Sequence, residues 1–153
     1  MHAKVINDGR ERSYALILDT GDEVVSTLVN FAREHNLLAS RFTAIGAFRE
    51  ATLGYFDWQR KQYEKIPVRE QVEVLSLVGD IASKDGEPQV HAHVVLGKRD
   101  GSAHGGHLME AHVRPTLEVM LVQSPAHLKR VFDPESGLAL IEFDEPAERK
   151  RYA

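Results

Sequence analysis

From Arg41 onward the chain is patterned for β structure in segments separated by short turns, and this constrains the fold more than any other feature. Phe42 to Phe48 and Ala51 to Asp57 are strand-like, with Gly46 and Gly54 where a bulge or a close backbone approach is expected. Asp57-Trp-Gln-Arg-Lys61 can turn the chain into a polar strand, Gln62 to Val68. In the next strand, Gln71 to Ile81, alternation assigns Val72, Val74 and Val78 to one face and Leu75, Leu77 and Ile81 to the other. Apolar on both faces, it is expected at the centre of a sheet with cover on each side. Val90 to Leu96 forms a hairpin with Ser102 to Ala111 through Gly97-Lys-Arg-Asp-Gly101. Thr116 to Gln123 is a strongly apolar strand, and Leu138 to Phe143 supplies the last one after an excursion from Pro125 to Gly137.

Ahead of that run stand one strand and one helix. Tyr14 to Asp19 is short, apolar and followed by Thr20-Gly21, so it reads as a buried strand ending in a turn. Thr20 with Glu23 three residues later has the capping-box spacing. Val24, Val25, Leu28, Val29, Phe31 and Ala32 then recur at helical intervals, and Asn36 suits a left-handed stop. One helix followed by strands at hairpin spacing argues for an α+β fold, a largely antiparallel mixed sheet flanked by helices. The 153 residues fit one domain, expected over residues 1–143 and followed by a charged tail, 144–153.

Composition removes several function classes. Cysteine is absent, so there are no disulfides and any metal must be held by His, Asp or Glu. That usage suits a reducing cytoplasm, the expected location, and the N-terminus lacks the pattern of a secretory signal. No apolar stretch approaches the roughly 18 residues that span a membrane. A net charge of −4 disfavours a dedicated nucleic-acid binder. The local basic groups are Lys98-Arg99 at a hairpin tip and Arg149-Lys150-Arg151 in the tail, the latter diluted by Glu145 and Glu148. Neither a P-loop, a dinucleotide fingerprint nor a nucleophile elbow is present.

The chemistry-bearing pattern is histidine. There are eight, four of them between His91 and His107. In His91-Ala92-His93 the two imidazoles share one face of a strand, with Cβ atoms roughly 6.5–7 Å apart. Two metal–nitrogen bonds of about 2.0–2.1 Å, with the reach of the rings, can close that gap. If the hairpin folds about Asp100, His93 lies opposite His107. A one-residue slip would turn His107 to the other face, and Gly105-Gly106 could absorb such a slip as a bulge. Three imidazoles on a sheet favour zinc or a similar divalent transition metal, with a fourth position open. A lone His-x-His pair on a surface is commonly without function; the facing third histidine raises the metal reading above that. His104 falls on the opposite face and is left out. Glu110 and Glu118 are the carboxylates to consider. Glu118, set among Leu117, Val119, Met120 and Leu121, is expected to be buried and to need a partner. A metal, its water or a histidine N–H would serve, making Glu118 a possible second ligand shell or base, and an arginine or lysine would serve equally.

Taken together, Glu73-Val-Leu-Ser-Leu-Val-Gly79, Val90-His-Ala-His-Val-Val-Leu-Gly97, Gly105-Gly-His-Leu108 and Pro115-Thr-Leu-Glu-Val119 carry a resemblance. The chain resembles the prokaryotic stand-alone form of the plants and prokaryotes conserved (PPC) domain, from about Tyr14 to Phe143. The resemblance implies a mostly antiparallel sheet flanked by helices, a homotrimer, and zinc held by three histidines, which match His91, His93 and His107. It also implies a possible association with DNA. The plant members carry an Arg-Gly-Arg-Pro hook for the minor groove, and this sequence has none. The expected function is a trimeric metal-binding module, regulatory or DNA-associated. The alternative is a zinc-dependent enzyme that activates water on a small molecule.

Overall fold

Strand alternation and one amphipathic helix account for most of the core. The computed structural model describes residues 1–143, so the charged tail expected at 144–153 lies outside the described residues. In chain order the elements are β1 (His2–Asn7), β2 (Ser13–Asp19), α1 (Val24–Glu34), β3 (Ala39–Asp57), β4 (Gln62–Val68) and β5 (Val72–Lys84). They continue with β6 (Glu87–Gly97), β7 (Ala103–Gln123), β8 (Lys129–Asp133) and β9 (Leu138–Glu142). In β2 the alternation is regular: Tyr14, Leu16 and Leu18 are buried while Ala15 and Ile17 lie half-open on the other face. Helix α1 turns Val24, Leu28, Phe31 and Ala32 onto the sheet, packing against β6 and β7.

The expectation of a sheet flanked by helices is corrected. Among the described residues 66% are in strands and 8% are helical, in a single helix. The stretch from Pro125 to Gly137 contains β8, which pairs with β9, and the N-terminal residues form β1 against β2.

Among the described residues one sheet contains all nine strands, with the order β1-β2-β7-β3-β5-β8-β9, while β4 pairs with β3 and β6 bridges β5 and β7. Every ladder is antiparallel except the single parallel bridge Ser83–Lys129. Because β3 pairs with both β5 and β7, and β6 pairs with both as well, these strands close on themselves in a barrel-like circuit. Closure is possible because β3 and β7 are 19 and 21 residues long and bend. Each is one continuous strand where the sequence pattern predicts two. At the bend in β3, Gly46 has φ of +150°, and a Cβ there would collide with the Thr116 carbonyl. The register shifts on either side of it are bulges that turn the strand.

Two local expectations also change. A bulge between Val74 and Ser76 shifts the face assignments in β5, so Val72, Val74, Leu77 and Ile81 are buried while Leu75 and Val78 are exposed. Cover on both sides of that strand is therefore lacking within one chain. The capping box from Thr20 does not form either. The Thr20 hydroxyl donates to the Pro115 carbonyl, and Glu23 is itself the cap, accepting from the Val25 and Ser26 amides. Asn36, with φ of +53°, takes the left-handed conformation just beyond the helix.

Candidate metal centre

Each of the three histidines is placed by an ordinary rule of sheet geometry. In β6, Ala92, Val94 and Leu96 point into the core, so His91 and His93 share the opposite face. The β6–β7 hairpin sets His93 opposite His107 and Val94 opposite Gly106 with no bulge in the ladder. His107 also pairs with Gly54 of β3. The third imidazole thus stands where two ladders meet.

The glycines around it serve close packing rather than slippage. A Cβ on Gly106 would sit 3.0 Å from the Gly54 carbonyl oxygen. A Cβ on Gly54 would meet the Tyr63 ring at 2.8 Å. Without it, Tyr63 of β4 lies over His107, with ring centroids 4.7 Å apart and planes 28° from parallel.

The three imidazoles converge. Their ring centroids are 5.2 Å apart for His91–His93, 5.2 Å for His91–His107 and 5.5 Å for His93–His107. One nitrogen from each ring lies within 4.8 Å of the others. Bonds of about 2.0–2.1 Å to a shared ion bring ligand nitrogens to within about 4 Å of each other, so small ring rotations complete the set.

Their electrostatics suit a cation. Burial pushes the His107 pKa down to about 4, helped by repulsion from His91 and His93. Burial, then the nearby His91, lowers that of His93. At neutral pH these rings are uncharged and keep a lone pair, the form that ligates metal. The His107 Nδ1 is buried without a hydrogen-bond partner. Imidazole nitrogens grouped in this way suit a late first-row divalent ion.

Beside the cluster stands an ion pair that the sequence did not point to. Asp80 of β5 lies directly opposite His91 in the ladder, with Oδ2 3.7 Å from His91 Nδ1. Its Oδ1 accepts from Nη2 of Arg130 on β8, a residue only 7% exposed. Burial opposes the Asp80 charge, but the contacts with His91 and Arg130 outweigh it and hold the carboxyl below its ordinary range. A cavity of about 170 Å³ adjoins the cluster, lined by Tyr63, Val90, His91, His107, Arg130 and Leu140 among others.

The two glutamates singled out from sequence lie elsewhere. Glu118 is exposed, on a part of β7 paired with Ile17 and Ile45, and it borders a separate depression with Leu75, Val78 and Met120. It therefore needs no buried partner, because alternation that buries Leu117 and Val119 turns Glu118 outward. Glu110 is exposed beside His112, 3.3 Å from its Nε2. His104 is exposed opposite Leu96, away from the cluster. A signal for Asp80 existed, as an acid within an apolar strand. Arg130 had none, since its role depends on where β8 docks.

A metal-containing protein from Archaeoglobus fulgidus is 37% identical, with 93% of this chain and 97% of that one aligned at a TM-score of 0.81. A plant- and prokaryote-conserved protein from Pyrococcus horikoshii is 33% identical over 92% of this chain and 99% of that one, with a TM-score of 0.82. A protein from Bacteroides thetaiotaomicron, described as a candidate DNA-binding protein, is 29% identical over 94% and 99% of the two chains at 0.86. Curated proteins provide no match. The sequence pattern of the Plants and Prokaryotes Conserved (PCC) domain matches residues 6–125, and the chain belongs to that family, also abbreviated PPC.

Proposed function

We propose that this chain is a metal-binding PPC module that holds a zinc-like ion on His91, His93 and His107 and assembles as a homotrimer. The observation that carries the metal is the convergence of three imidazoles on one sheet, with a nitrogen from each within 4.8 Å of the others. Likeness to a metal-containing relative at 37% identity adds to it. When bound, such an ion supplies Lewis acidity at its remaining position. Residues 1–143 act as one unit in this reading, in the cytoplasm.

The trimer draws on a second observation. Ile45, Leu75, Val78, Val95 and Met120 are large apolar side chains on the strand face opposite the helix, each at least 41% exposed. A patch of that kind marks an association surface, and family resemblance supplies the number three.

DNA is the weaker part of the family association. Related proteins are described as candidate DNA-binding proteins. Here the net charge is −4 per chain, and Lys98 at the hairpin tip is paired with Glu70 at 2.6 Å. Affinity for duplex DNA is expected to be no tighter than about 10⁻⁶ M at physiological salt. The cavity beside His91 and His107 favours a second reading, a zinc enzyme acting on a small molecule. It is the lesser reading because among the described residues no carboxylate lines that cavity to act as a base.

Elemental analysis after incubation with zinc tests the central reading. About one ion per chain is expected in the wild type, and most of it should be lost in His93→Ala. Light scattering should give three times the 17.2 kDa chain mass. Zinc-free wild-type protein would sink the metal reading, and a monomer at micromolar concentration would sink the trimer.

A further inference from the structure

The cluster's three histidines differ in what stands across the ladder from each. His93 faces Val78 and His107 of the neighbouring strand, and His107 in turn faces Gly54. His91 alone of the three faces a carboxylate, that of Asp80. A metal-bound imidazole that donates its second N–H to a carboxylate is held in one tautomer and one orientation, and it becomes more basic. With Nδ1 turned to Asp80, the Nε2 of His91 is the nitrogen left for an ion.

We propose that Asp80 is a positioning residue for His91, and that Arg130 of β8 fixes Asp80 in turn. The two oxygens of the carboxylate divide the work: Oδ2 faces His91 Nδ1 at 3.7 Å, and Oδ1 accepts from Arg130 Nη2. A small rotation of the ring brings the first pair into hydrogen-bond range. Arg130 is anchored at its other end, where Nη1 donates to the Ala139 carbonyl of β9 at 3.3 Å. The relay therefore runs from the β8–β9 hairpin through β5 to the ligand on β6. Neighbouring Gly79 keeps the site tight, since a Cβ there would strike the Phe42 ring and the His91 carbonyl. Arg130 also lies outside the residues 6–125 that match the family pattern. The hairpin that carries it thus takes part in the metal centre.

The inference rests on the metal reading, and one experiment separates the two. Zinc affinity is measured by competition with a chromophoric chelator, and the cobalt(II) spectrum reports ligand geometry. Asp80→Asn should weaken zinc binding about 10- to 100-fold and alter the cobalt bands. Asp80→Glu, which retains the carboxylate, should recover part of the loss. Since Asp80→Asn leaves a buried guanidinium unpaired, the double variant Asp80→Asn/Arg130→Met removes that charge as well. It should fold, and it should show the same loss of affinity. A purely structural ion pair would lower the melting temperature of the metal-free protein and leave affinity and spectrum unmoved, which would overturn the proposal. Wild-type protein that takes up no zinc would instead overturn the metal reading itself, and this inference with it.

Discussion

The two faces of the sheet are built from the same strands and have opposite fates. On one, Leu77, Val94, Leu96, Val119 and Leu121 are fully or almost fully buried around α1. On the other, Val78, Val95 and Met120, each a direct sequence neighbour of one of those, are 41–50% exposed. Residue type does not separate the faces, since both are apolar. Cover does. A single eleven-residue helix covers one side. The other carries the histidine cluster together with an apolar surface that one chain leaves open.

The sharpest way to break this comparison is to truncate adjacent residues of β5. Leu77→Ala should cost about 2–5 kcal/mol in chemical denaturation, because it removes a fully buried side chain from a filled core. At dilutions where the protein is monomeric, Val78→Ala should stay within about 0.5 kcal/mol of wild type. At concentrations where the trimer forms, the Val78 cost should rise. Equal losses at every dilution would mean that the open face is packed within the single chain.

Metal should shift the balance on the histidine face next. Zinc at about one hundred times its dissociation constant should add about 2.7 kcal/mol of stability. The gain should vanish in His93→Ala, as read by the thermal midpoint with and without the ion. Persistence of the gain in that variant would place the metal elsewhere.

The smallest effect belongs to the helix that covers the first face. The Glu23 carboxylate accepts from the Val25 amide at 3.1 Å, the Ser26 amide at 2.7 Å and, across to β7, the Ala111 amide at 3.3 Å. Glu23→Ala should cost about 1 kcal/mol at neutral pH. Burial disfavours the charge, yet these hydrogen bonds outweigh it and lower the folded-state pKa below 4.5. Because that pKa is depressed, the contribution is present above 4.5 and is lost as pH falls through the folded value. Denaturation of wild type and variant should therefore converge on acidification. A constant difference down to pH 3 would show that the cap does not depend on charge.

Several features were legible because they follow from local rules. The helix over Val24 to Ala32 came from its apolar stripe, and the pairing of His93 with His107 from a turn centred on Asp100. The face assignments in β5 were not legible, since the bulge between Val74 and Ser76 leaves no mark in the apolar pattern. β1 was missed because all six of its residues are exposed, so no buried face prints an alternation. Glu118 looked buried only because its neighbours are apolar, whereas period-two geometry puts it outside.

By itself, then, the sequence determined most of the strands between Tyr14 and Gln123, which histidines share a face, and the family to which the chain belongs. Those properties depend on strand period, turn length and residue type, all of which act over short stretches. The tertiary structure alone decided that, among the described residues, one helix covers one face of the sheet, that β3 and β7 bend to close a circuit with β5 and β6, and that Asp80 and Arg130 stand behind His91. Those contacts join residues far apart in the chain, 50 positions for Asp80 and Arg130 and 83 for Ser40 and Gln123. Their geometry comes from where separate strands dock, and no local pattern records it.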